Sequence, residues 1–226
     1  NSSRLMRSMI QYDTRGCPRC PGGEMERLIS ALGFVVFLTI AYVFSFIDRS
    51  ILTLLVGPIR VDLGISDTQV SLLHGLAFAI FYTLLGIPIA SLADRRNRRN
   101  IIAVGVTFWS IATAACGLTR NFWQLFLARI GVGVGEAALS PAAYSMIADS
   151  FPPEKLGRAL SVYTLGAIAG IGFALIIGGA VIGTVMTATD ATLPLVGTVR
   201  PWQVVFFIVG LPGLLVALWI LTLREP

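Results

Sequence analysis

Charge is scarce in this chain: only 13% of its 226 residues are Asp, Glu, Lys or Arg, against 55% hydrophobic. With a mean hydropathy of +0.80, that balance excludes a soluble domain of this size and indicates an integral membrane protein. Histidine is nearly missing, His74 standing alone, which excludes a histidine-rich metal site and a coupled histidine pair. Cysteine is equally sparse. Cys17-Pro-Arg-Cys20 has metal or redox spacing, but no second Cys or His pair completes a zinc site and no βαβ pattern surrounds it, so neither metal nor cofactor is expected. The first residues lack the apolar core of a signal peptide. Beginning at Asn1 and rich in turn formers (Pro18, Pro21, Gly22, Gly23), residues 1–27 read as a flexible cytoplasmic tail, or as sequence upstream of a start near Met25. The abrupt ends suggest a fragment of a longer protein.

What is present is a series of apolar windows. Measured against the about 20 residues a spanning helix needs, they fall at 28–59, 70–93, 101–118, 122–148, 159–185 and 204–223. Each is continuously apolar without dyad alternation, so helices and not barrel strands are expected. The net charge of +5 comes from short clusters between these windows, which sets orientation and gives no nucleic-acid surface. Arg4, Arg7, Arg15, Arg19 and Arg27 precede the first window. Arg95, Arg96, Arg98 and Arg99 follow the second, Lys155 and Arg158 the fourth, and Arg224 the sixth; the other side keeps Arg60, Arg120 and Arg200. Both ends of the chain are therefore expected in the cytoplasm. Gly131, Gly133 and Gly135 in the fourth window, and Gly166, Gly170, Gly172, Gly178 and Gly179 in the fifth, offer places for close helix packing. Pro88, Pro141 and Pro212 are expected to kink or end helices locally.

Four ionisable residues lie inside the windows: Asp48, Arg49, Arg129 and Glu136. A charge at membrane depth is costly and points to function. Arg129 and Glu136 are seven residues apart, on one helical face and roughly 10 Å apart along the axis. Asp48 falls between them in depth and can approach either, while Arg49, about 100° around its helix, can face a different neighbour. Burial favours a neutral acid and a nearby guanidinium favours its carboxylate, so Asp48 and Glu136 are candidate proton-relay acids around a fixed Arg129. A static buried salt bridge is the competing interpretation.

The loop Ala90-Ser-Leu-Ala-Asp94-Arg95-Arg96-Asn97-Arg98-Arg99 resembles the major facilitator superfamily pattern G-x-L-A-D-R-x-G-R-R between the second and third helices, with Ala90 and Asn97 where glycine is usual. Leu125 and Arg129-x-x-x-Gly133 resemble its fourth-helix motif. The fifth helix has Gly170-Ile171 where antiporter-type members carry Gly-Pro. Asp48-Arg49 with Arg129 and Gly135-Glu136-Ala137 resembles the spinster branch, bacterial members included, as do Ile65-Ser-Asp-Thr-Gln69 and Gly210-Leu-Pro-Gly213.

The resemblance implies an all-α polytopic membrane protein forming the amino-terminal six-helix bundle (28–226) of a twelve-helix carrier. Such a carrier sits multi-pass in a bacterial inner membrane, works by alternating access and draws on a proton gradient. The carboxy-terminal bundle would be its partner and an amphipathic organic or lipid-like molecule its substrate. The resemblance also implies a cytoplasmic latch of Asp94, Arg95, Arg98 and Arg99 with Asp149. Tyr42, Phe46, His74, Tyr82 and Tyr144, aromatic groups that apart from Phe46 carry a polar tip, are candidate cavity groups. A non-transporting or dimeric half-carrier remains an alternative. An intramembrane hydrolase is a remote one, since His74 would be its only histidine base and no Gly-x-Ser-x-Gly turn accompanies it.

Overall fold

The computed structural model describes residues 21–93, 96–185, 191–193 and 197–222. The described residues divide into two units between Gly33 and Phe34, and the helix packing described below is that of the second. Among the described residues six helices are long and apolar enough to cross a membrane: α1 (Pro21–Leu63), α2 (Asp67–Ala93), α3 (Arg98–Cys116), α4 (Phe122–Ser150), α5 (Pro153–Val185) and α6 (Pro201–Thr222). Each overlaps one of the six apolar windows, with ends that differ by up to seven residues, most at the starts of α1 and α5. The expected tail differs in part, because α1 already begins at Pro21, and its residues 1–20, with Cys17 and Cys20, lie outside the described residues. Between α5 and α6 the chain adds a feature the apolar windows do not announce. Strands β1 (Ala191–Leu193) and β2 (Gly197–Val199) pair antiparallel, Thr192 opposite Thr198.

Local signals start the helices where polar residues can satisfy the free amides. Ser66 forms a capping box with Gln69: its hydroxyl accepts from the Gln69 amide at 3.3 Å and its own amide donates to Gln69 Oε1 at 2.9 Å. Asn97 caps α3, accepting from the Asn100 amide at 3.0 Å, which gives a physical use to asparagine where the resembling pattern has glycine. Asn121 caps α4 by accepting from the Gln124 amide at 3.0 Å.

Two helices are irregular near the centre of the bundle. In α2, residues Leu72–Leu76 form one π turn, closed by the Ala77 amide donating to the Leu72 carbonyl. In α4, Phe122–Glu136 and Leu139–Ser150 are separated at Ala137–Ala138, where the Ala138 amide bonds Gly135 at 3.3 Å in a tightened turn. Pro141 follows immediately. Its missing N–H removes the helical bond to Ala137 and accounts for the break. Pro88 and Pro212 lie inside uninterrupted helices.

The core is apolar and interhelical. Ile51, Leu55 and Ile59 of α1, spaced one turn apart, are at most 1% exposed and join Leu73 of α2, Leu125 and Val132 of α4 and Trp202 and Phe206 of α6. Backbones approach where side chains are absent. A Cβ on Gly135 would lie 2.6 Å from the Trp109 amide nitrogen, and one on Gly170 would lie 2.8 Å from the Val43 carbonyl. The first contact fixes α4 on α3, the second α5 on α1. Gly210 and Gly213 do the same for α6 on α3, meeting the backbone around Ser110–Ala114 and the Ser110 hydroxyl. Gly172 and Gly179 have open space instead, so packing does not explain every glycine of α5. At the end away from the α2–α3 loop, Asp62 of α1 accepts from Trp202 Nε1 at 2.8 Å and pairs with Arg200, tying α1 to the start of α6.

Candidate functional site

The site is built from three helices. On α1, Ser45 and Asp48 are one turn apart and both buried, and Arg49 follows, partly open. On α4, Arg129 and Glu136 are 2% and 1% exposed. Thr113 of α3 is wholly buried beside them. Apolar neighbours surround these groups, so every polar atom must find a partner inside the protein or remain unsatisfied.

The charges sort into two ion pairs between α1 and α4. Arg129 Nη1 lies 3.4 Å from Asp48 Oδ1, and the Thr113 hydroxyl donates to Asp48 Oδ2. Arg49 Nε and Nη2 each lie 2.6 Å from Glu136 Oε2, which also accepts from Ser45 Oγ at 2.7 Å. Each acid thus has one guanidinium and one hydroxyl. The arrangement resolves an open point of the sequence. Asp48 approaches Arg129 and not Glu136, and Arg49 faces the same helix as Asp48 does, through the other acid. Satisfaction is incomplete: among the described residues Glu136 Oε1 and Arg129 Nε, both buried, find no hydrogen-bond partner.

Arg49 also connects the charges to an aromatic surface. Its guanidinium carbon lies 5.1 Å from the Phe46 ring centroid, 4.4 Å from Phe78 and 5.1 Å from Tyr82, distances at which a cation is attracted by the ring faces. Tyr42 meets Phe46 edge-on and stacks on Tyr163 at 4.5 Å, and Tyr144 meets Tyr163 edge-on at 5.3 Å. Tyr82 donates to Ser140 Oγ at 3.4 Å. Three of the five candidate cavity groups, Phe46, Tyr42 and Tyr144, thus form one chain of ring contacts through Tyr163, while a fourth, Tyr82, stacks on Phe78 at 5.3 Å, and Arg49 touches both groups of rings. His74 is half-buried on the π turn of α2 and takes no part in these contacts.

Of the candidate latch, Asp94 and Arg95 lie outside the described residues. Arg98 pairs with Asp149 through Nη1 and Oδ2, joining the start of α3 to the end of α4, and Arg99 Nε donates to Asn100 Oδ1 at 3.4 Å. Sequence reasoning missed Ser45, Phe78, Thr113, Ser140 and Tyr163. Ser45 had a signal, its position one turn before Asp48 in an apolar helix. Thr113 had none, because its partner is 65 residues away.

The chain belongs to the Major Facilitator Superfamily, matching that family over residues 38–226. An MFS-type efflux pump of Mycolicibacterium smegmatis is 36% identical over 60% of this chain and 31% of its own length. Protein spinster homolog 1 of Xenopus tropicalis is 32% identical over 72% of this chain and 32% of its own length, and a probable L-galactonate transporter of Escherichia coli is 28% identical over 84% and 39%. A crystal structure of a bacterial homolog of the human lysosomal transporter Spinster, inward-facing and unoccupied, superposes with a TM-score of 0.78 at 39% identity, over 87% of this chain and 44% of that one. The chain thus spans less than half the length of each of these relatives. It is a spinster-like, multi-pass helical membrane protein with the six-helix bundle of the superfamily fold, and the relatives it matches are transporters.

Proposed function

We propose that the chain is the amino-terminal bundle of a proton-coupled secondary carrier that moves an amphipathic organic or lipid-like molecule by alternating access. The observation that carries this is the two ion pairs, Asp48 with Arg129 and Arg49 with Glu136, that bridge α1 and α4 inside membrane-spanning segments. A guanidinium does not give up its proton, so the acids are the switchable members. Protonating either one weakens its hold on its arginine, which leaves a buried cation seeking another partner. In a carrier, movement of α1 against α4 or arrival of a substrate anion would supply one. The unpartnered Glu136 Oε1 is a place for such a proton.

The aromatic chain beside Arg49 supports an amphipathic substrate, since rings accept an apolar body while the partly open guanidinium accepts an acidic head. Among the relatives, the L-galactonate and hexuronate transporters support an acidic group on the substrate, and a probable sphingolipid transporter of the spinster type supports a lipid-like body. A second bundle would provide the opposing wall, no bound cofactor is required, and the proton gradient across a bacterial inner membrane, with the chain's start on the cytoplasmic side, would be the energy source. The test is flux in proteoliposomes holding the complete protein, with an imposed pH gradient, an internal pH dye, and a lysophospholipid and a hexuronate offered separately. Substrate-dependent proton movement with the lysophospholipid supports the proposal, the same with the hexuronate alone supports the coupling and overturns the amphipathic substrate, and substrate movement with no associated proton flux refutes the coupling.

A further inference from the structure

On the opposite side of α4 from the ion pairs, α2, α3 and α4 enclose a groove of about 640 Å³. Its floor is bare backbone: Gly105 of α3 and Gly135 of α4 lie so close that a Cβ on Gly105 would sit 2.8 Å from the Gly135 carbonyl. The walls are apolar, with Leu92 of α2 49%, Val104 of α3 69% and Phe108 of α3 48% exposed. Gly135 faces α3 through Trp109 while the next residue, Glu136, faces α1 through Ser45 and Arg49, so the groove does not belong to the charged site.

One end of the groove is polar, and among the described residues its charge has one sign. Arg96, Asn97 and Asn100 line it where α2 ends and α3 begins, and no acidic side chain joins them among the described residues. Arg96 is exposed and has no acidic partner among the described residues. Both carboxamide oxygens are already in use, Asn97 Oδ1 by the Asn100 amide and Asn100 Oδ1 by Arg99 Nε. The donors on offer are a guanidinium and two NH₂ groups, beside one remaining lone pair on each carboxamide oxygen. Donors at the end of a membrane helix, opening onto an apolar trough that runs toward the middle of the helix, match a phosphate head with an acyl chain below it.

We infer that this groove is a binding site for an anionic phospholipid of the leaflet that the α2–α3 loop borders. The head engages Arg96, Asn97 and Asn100, and one acyl chain lies between Leu92, Val104 and Phe108 over the bare backbone. Because the groove shares its α3 start with Arg98, which pairs with Asp149, a bound lipid would brace the same junction of α3 and α4.

Native mass spectrometry of the complete protein tests this, using phosphatidylglycerol and phosphatidylcholine with identical chains. The wild type should retain phosphatidylglycerol preferentially. Arg96→Ala should lower that retention roughly fivefold, the equivalent of about 1 kcal/mol for one basic contact at a membrane surface, and leave phosphatidylcholine unchanged. Val104→Trp, which fills the trough, should lower retention of both, and its gel-filtration profile and proteoliposome flux report that the fold is intact. Arg158→Ala, removing an exposed arginine elsewhere on the chain, should change neither. Equal retention of the two lipids by the wild type would overturn the inference. So would equal losses in Arg96→Ala and Arg158→Ala, which would mark diffuse surface charge, or a lipid-free dimer that Val104→Trp disperses, which would mark a second copy of the chain as the occupant.

Discussion

Arg49 reaches Glu136 with two nitrogens, Nε and Nη2, both 2.6 Å from the single oxygen Oε2, and leaves Oε1 buried with no partner. A side-on fork to both oxygens would have satisfied the carboxylate more fully. Ser45 adds a third donor to the already occupied oxygen, so the asymmetry is built by α1 as a whole. One oxygen of Glu136 holds α4 to α1, and the other has no hydrogen-bond partner among the described residues.

Under the proton coupling proposed above, replacing Glu136 should change how the complete protein responds to pH. In the complete carrier, Glu136→Gln keeps the shape and a carbonyl oxygen toward Arg49 but removes the ionisable group. The pH dependence of substrate flux across proteoliposomes should disappear while substrate binding persists. A variant with the wild-type pH profile would exclude Glu136 as the coupling acid.

The Asp48–Arg129 pair should be costly to break from one side only. Arg129→Met leaves Asp48 buried with Thr113 as its remaining partner, and an uncompensated buried charge costs about 3–5 kcal/mol. Adding Asp48→Asn should recover a large part of that loss, giving a coupling energy well outside the error of a double-mutant cycle. Reversible unfolding in detergent measures it, and strictly additive losses would show that the two groups do not interact.

Helix contact predicts a contrast between two glycines. A methyl group at Gly135 meets the Trp109 backbone at 2.6 Å, whereas one at Gly172 meets nothing within 4 Å. Gly135→Ala should therefore destabilise by about 1–3 kcal/mol through forced separation of α3 and α4. Gly172→Ala should be neutral or slightly stabilising, because alanine is the better helix former. Thermal unfolding of the two variants side by side decides this, and equal shifts would contradict the packing described.

At the α2–α3 end, Asp149→Asn removes the charge that Arg98 pairs with. The expected outcome is altered exchange between inward- and outward-open states, read by distance labels across the carrier, with substrate selectivity unchanged. A changed substrate spectrum would place Asp149 in the binding site and remove it from the latch.

The spacing of apolar windows was enough to define six helices, because the bilayer imposes one length on every span and only helices satisfy the backbone there. The rarity of charge likewise singled out Asp48, Arg49, Arg129 and Glu136, since nothing but function or pairing keeps such groups in apolar segments. Helical spacing also placed Arg129 and Glu136 on one face. Which acid meets which arginine was not legible, because Asp48 and Arg49 are adjacent in sequence and differ only in the direction each leaves α1. That direction acquires meaning once α4 is packed alongside. The hydroxyls show the same limit. Ser45 and Thr113 are ordinary residues in their own helices and become hydrogen-bond donors to Glu136 and Asp48 only where α1, α3 and α4 converge. The sequence by itself determined which groups are buried at a cost, and the tertiary structure decided how that cost is met. Burial follows from the composition of a single helix, whereas pairing depends on distances between helices far apart along the chain.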